Sequence, residues 1–165
     1  MASVRDIAGY LCRNYPYKEQ LSKARLTKMI YLADWKSAID RATQISDVQW
    51  AFSHFGPYVP LVIEQLRDDE DFAVVSSSTI YGNPKEVVSY HGPGFFPTLS
   101  VEDRRILDFV IESVAPKSWD GFVRLVYSTY PVMSRPRYSQ LDLVGLADEY
   151  RAQEALLGGP PPAPA

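Results

Sequence analysis

Apolar residues recur along this chain at two periods, and the change between them marks out its elements. In "SVRDIAGYLCRN", Val4, Ile7, Ala8 and Leu11 fall at i, i+3, i+4 and i+7, the spacing of one buried helix face. Ser3 followed by Asp6 is a capping-box pattern at its start, and Pro16 stops the helix. A second helix is predicted from Ser22, with Leu26, Met29, Ile30 and Ala33 on its core face. "SDVQWAF" then alternates Val48, Trp50 and Phe52, the period of a short strand. Gly56-Pro57 breaks that strand, and Pro57 is placed in the first turn of a helix carrying Val59, Val62, Ile63 and Leu66.

The period returns to two in "FAVVSSSTIYGNPKEVVSYHG", where β-branched residues flank the turn-forming "YGNPK". A hairpin is predicted, Phe72–Tyr81 against Glu86–His91. Ser100 with Asp103 caps a helix bearing Ile106, Phe109, Val110 and Val114, and Ser118 caps a shorter one through Tyr127. "TYPVMSRPRYSQ" is expected to be a loop, and "LDLVGLADEYRAQEALL" a last helix. The sum is a mainly helical α+β domain over residues 1–157. Five to six helices pack around one core with a β-hairpin and a short third strand, and 158–165 form a disordered Pro/Ala/Gly tail.

Composition changes this picture little. The 165 residues are 46% hydrophobic and 22% charged, enough to bury a real core. The net charge of −3 argues against nucleic acid as a partner. The charge is uneven: residues 1–45 carry eight basic against four acidic residues, +4, leaving −7 for the remainder. The lone Cys12 excludes an internal disulfide, no run of roughly 18 apolar residues offers a membrane span, and "MASVRDIAGY" lacks a signal-peptide core. A cytoplasmic location and no membrane partner are expected.

Candidate chemistry is sparse. His54 and His91 are the only histidines, and neither has the companions that a zinc site needs. GxSxG, the phosphate loop GxxxxGK[ST] and GxGxxG are missing, so no catalytic residue, cofactor or metal is expected. The acidic run "RDDED" is read as a solvated loop past a helix end. Asp34, flanked by aromatics, is open to two readings: an acid tied to a Trp N–H, a Tyr O–H or a backbone N–H, or a charge at the rim of a groove. "SRPRY" suits partner recognition or the anchoring of the last helix.

Taken in order, "LTKMIYLADW" (26–35), "VQWAFSHFGPYVPLVIEQL" (48–66), "LSVEDRRILDFVIESV" (99–114) and "LVYSTYP" (125–131) resemble the Panacea domain of SocA-like antitoxins, found also in phage-associated proteins. The resemblance runs from about Val4 to Ala147. Its most specific elements are Lys28, Tyr31, Leu32 and Asp34 on one helix, and Trp50 with Gly56 and Pro57. After "TYP" the chain reads "VMSRPRYSQ", where many members continue with a tryptophan.

The resemblance implies an antitoxin of a type II system that neutralises a cognate toxin protein by direct binding, and not an enzyme. The alternatives left open are a phage-associated or regulatory interaction protein without a toxin, or an enzyme pairing Asp34 with His54. The contact residues expected are Tyr31, Asp34, His54, Phe55, Tyr58, Arg135, Arg137 and Tyr138. Trp50 is expected as a core anchor, and Gly56 and Pro57 as a tight chain reversal flanked by surface aromatics. Neither the toxin nor the oligomeric state follows from the residues.

Overall fold

A computed structural model describes residues 1–79 and 81–158. The tail expected over 158–165 thus lies, from residue 159 onward, outside the described residues. The mainly helical α+β reading holds, with seven helices among the described residues. They are α1 (Val4–Asn14), α2 (Lys23–Arg41), α3 (Pro60–Arg67), α4 (Val101–Val114), α5 (Trp119–Tyr127), α6 (Tyr130–Ser134) and α7 (Leu143–Leu156). The strands are β1 (Trp50–Ser53), β2 (Gly56–Pro57), β3 (Phe72–Ser78), β4 (Pro84–Tyr90) and β5 (Gln140–Leu141).

Helix α2 is the axis of the molecule. Its amphipathic pattern predicted one buried face, yet thirteen of its nineteen residues are buried. α1, α3, α4, α7 and strand β4 all pack against it, so residues off the apolar stripe, including Arg25, Lys28 and Asp34, also lie inside. A helix covered on every side is normally apolar all round. This one carries three charges in its buried length.

The cap signals are realised. Ser22 Oγ accepts from Arg25 N at 3.1 Å, and Ser100 with Asp103 forms the reciprocal capping box. Ser3 caps α1, but the Asp6 carboxylate turns away and accepts from Thr98 N and Oγ1 at 2.9 and 2.6 Å, tying α1 to the segment before α4.

Two small antiparallel sheets form. The hairpin β3–β4 runs in register from Phe72↔Tyr90 to Ser78↔Pro84; its first strand ends before the expected Tyr81, its second begins before the expected Glu86, and residue 80 of the expected first strand lies outside the described residues. The other has the order β2-β1-β5 and was only partly foreseen. Pro57 lies in its edge strand β2, where a missing N–H is tolerated, and Pro60 instead opens α3. The stretch expected as a loop holds α6, with Pro131 in its first turn, and runs into β5, whose Leu141, expected to open the last helix, pairs instead with Trp50. The acidic run after α3 is engaged and not merely solvated: Arg5 Nε pairs with Asp69 Oδ2 at 2.9 Å, and Arg5 also pairs with Asp71.

Candidate functional site

The central sheet is what assembles the site. β1 and β2 reverse at 54–55, and β5 brings the chain from 135–141 alongside. Phe52 N donates to Ser139 O at 2.9 Å, and Tyr138 N donates to Phe52 O at 2.6 Å. Gly56 holds φ +88°, and a Cβ there would stand 2.9 Å from the Tyr127 ring, so the reversal needs glycine. Residues more than eighty positions apart therefore share one surface. His54 Nδ1 lies 3.3 Å from the Tyr138 hydroxyl, and the His54 and Phe55 rings meet edge-on at 4.8 Å. The Arg137 guanidinium lies 5.7 Å from the Phe52 ring.

Phe55 is 70% exposed and Tyr138 72%, large rings with little to gain from water. Tyr138 is also held at φ +72°, in the left-handed region that a bulky side chain enters at a cost of roughly 1–3 kcal/mol. Expensive backbone and exposed rings coincide on the small three-stranded sheet, a composition that suits a protein-binding patch.

Beneath this patch lies a buried polar centre. Asp34 is fully buried. Its Oδ1 accepts from Ile45 N and Ser46 N, both at 2.9 Å. Its Oδ2 accepts from Ser46 Oγ at 2.5 Å, Trp50 Nε1 at 2.8 Å and Gln44 Nε2 at 3.4 Å. Burial pushes the carboxyl up to about 6, and the donors from Ser46, Trp50 and Ile45 pull against that rise. The carboxylate thus pins the loop 44–48 and the indole of Trp50 to α2. Trp50 is the core anchor expected, 1% exposed, with its ring edge-on to Tyr31 at 5.6 Å.

Tyr31 is likewise fully buried, and its hydroxyl donates to Thr129 Oγ1 at 2.7 Å, since Thr129 itself donates to Val126 O. Burial raises its pKa. Tyr31 and Asp34 were expected as contact residues. In this fold they reach no surface, because α2 is enclosed, and their role is to support the patch from below.

Arg135 is partly exposed and already has a partner within the chain. Its guanidinium pairs with Glu149 at 2.8 Å, and Tyr130 donates to the same carboxylate at 2.8 Å, so it anchors α7. Tyr58 is half-buried, with the Lys28 ammonium 5.9 Å from its ring. Lys28 is only 3% exposed, and burial lowers its pKa to about 8. Leu32 is buried within the core.

Asp34 and His54 do not come together: one is enclosed by donors, the other exposed beside Tyr138. Among the described residues no group of three or more His, Cys, Asp or Glu is placed to hold a metal, and no helix is long and apolar enough to cross a membrane. Cys12 is buried, which pushes its thiol up to about 12.

The sequence reasoning missed the buried Arg25. Only its place one turn before Lys28, off the apolar stripe, hinted at it.

A family model described as "Antitoxin SocA-like, Panacea domain" matches residues 26–131. That range contains α2 from Leu26 onward, the Asp34 centre and the His54–Tyr58 reversal, and stops before Arg137 and Tyr138. No curated protein and no solved structure matches the chain.

Proposed function

Because this chain belongs to the family of SocA-like antitoxins with a Panacea domain, we propose that it is the antitoxin of a type II toxin–antitoxin pair, working in the cytoplasm. It neutralises a cognate toxin protein by covering it, without turnover. The observation that carries this reading is the convergence of His54, Phe55, Arg137 and Tyr138 on one exposed face. Tyr58 lies at the margin of that face and Lys28 beneath Tyr58. An aromatic pair with an arginine and a rigid backbone is the usual make-up of an interface centre, and a complex burying about 1,600 Å² in total fits such a patch. Tyr31 and Asp34 serve it indirectly by fixing Trp50 and the strand that ends in His54.

The segment 134–139 lies past the matched range. We assign it the choice of toxin. The test is co-expression with the product of the neighbouring gene. The expected result is a stable co-purifying complex and rescued growth, both lost in the double variant Phe55→Asp, Arg137→Glu while its circular dichroism stays that of the parent. A neighbouring product that is harmless alone, or that is never captured, would overturn the reading.

A further inference from the structure

On another side of the molecule a cleft of about 520 Å³ opens between the N-terminal ends of α2 and α5 and the hairpin tip. Its lining includes Lys23, Arg25, Lys85, Lys117 and Trp119, and a single acid, Glu86. Glu86 is already occupied by Lys23 at 3.1 Å and Arg67 at 2.5 Å, which hold its carboxyl below the usual range. Lys85 donates to Glu19 O at 3.1 Å, and Lys117 makes no ion pair among the described residues. Ser22 and Ser118, the caps of α2 and α5, also line the opening, so two helix starts add positive potential.

Arg25 is the decisive residue. It is 4% exposed, yet no carboxylate of the described residues pairs with it. Its guanidinium is 4.9 Å from the Phe122 ring and 5.5 Å from the Trp119 ring, and it donates to the Tyr15 hydroxyl at 3.2 Å. Its Nε is buried and finds no acceptor. A guanidinium has five N–H donors and is costly to bury without an anion. Stacked on rings and fixed in orientation, it is half of a charge-assisted pair whose other half the described residues do not supply.

We propose that this cleft is a carboxylate-recognition site that takes an acidic segment of a protein partner. The identity of the occupant rests on the partner-binding reading above, whereas the charge chemistry of the cleft does not. The outer charge favours a short acidic segment over a nucleic acid. The chain as a whole carries −3, which disfavours a long polyanion more than a few acidic side chains. Arg25 also covers one face of Trp119 on which a base would stack.

The experiment is titration of the ¹⁵N-labelled full chain with a hexaglutamate peptide at low salt, followed by amide and indole resonances. The expected result is saturable shifts centred on Lys23, Ala24, Lys85 and the Trp119 indole N–H. Lys117→Glu should bind roughly fivefold more weakly, and Arg25→Gln should lose binding. Lys117 is exposed, so its variant keeps the test decisive if Arg25→Gln fails to fold.

Shifts that avoid the cleft, equal binding by Lys117→Glu, or a tighter cleft-centred response to inorganic phosphate or single-stranded DNA would each overturn the proposal. A chain that takes hexaglutamate in the cleft but never captures the neighbouring product keeps the carboxylate site and removes the antitoxin reading. The reverse outcome removes the site alone.

Discussion

The two ends of the buried length of α2 handle charge in opposite ways. Arg25 and Lys28 at one end and Asp34 at the other are buried alike, at 4%, 3% and 0% exposure. Asp34 takes hydrogen bonds from Ile45, Ser46, Trp50 and Gln44. Arg25 has Tyr15, and Lys28 has neither a hydrogen bond nor an ion pair among the described residues. Burial alone therefore does not distinguish a structural charge from a functional one. Satisfaction does: the acid is complete within the chain, and the cations are not. The completed charge fixes loop 44–48, and the incomplete ones are left without an anion among the described residues.

The largest effect should come from dismantling the complete end. Asp34→Ala leaves the Trp50 and Ser46 donors and two backbone N–H groups inside the core without an acceptor, a loss of ~3–5 kcal/mol. Urea denaturation checks this by the shift of the midpoint at constant slope. A loss below ~1 kcal/mol would mean that the donors find other partners and that the contrast along α2 is false.

The incomplete end should respond with the opposite sign. Lys28→Met keeps the stem and removes a desolvated ammonium, so stability should rise by ~1–3 kcal/mol at pH 7. The pH dependence separates the two ends further. In both groups the fold disfavours the charged form. For Lys28 the folded pKa of about 8 lies below 10.5, so the unfolded chain binds more protons between them and stability climbs as pH rises through that window. For Asp34 the folded value of about 6 lies above 3.8, so the folded chain binds more protons and stability falls as pH rises from about 4 to 6. Each slope should vanish in its own variant, Lys28→Met or Asp34→Ala. A Lys28→Met protein less stable than its parent would sink the claim that this ammonium is held at a cost.

The legibility of these features follows their range along the chain. Caps, helix periods and the existence of the hairpin are local, and Ser100, Ser118 and the helix start at Ser22 follow from neighbours in sequence. Asp34 was left between a tether to a Trp or backbone N–H and a rim charge, and the first is what forms. Its donors come from a loop that local pattern cannot place. The pairing of Trp50 with Leu141 is remote in sequence, and its partner strand β5 has two residues, too few to leave a period, so α6, β5 and the meeting of His54 with Tyr138 were out of reach. Arg135 and Arg137 are two residues apart in one loop, yet one anchors α7 and the other joins the patch. The partner each one meets separates them, Glu149 on α7 for one and the Phe52 ring on β1 for the other, and composition does not.

The smallest effect on folding, and the one that ties the comparison to function, belongs to the exposed patch. Phe55 meets mainly His54, and Arg137 makes no ion pair among the described residues, so Phe55→Ser and Arg137→Ala should each change stability by no more than ~0.5 kcal/mol. If the patch is an interface centre, the same substitutions weaken toxin binding by ~2 kcal/mol, about thirtyfold in Kd, mainly through faster dissociation. Thermal melts alongside binding by surface plasmon resonance read the two quantities separately. Residues that matter for binding and not for folding are those the fold leaves unsatisfied, as on α2. Were Phe55→Ser to unfold the protein, or to leave dissociation unchanged, the exposed rings would be part of the scaffold and the partner would have to be sought at the Arg25 cleft.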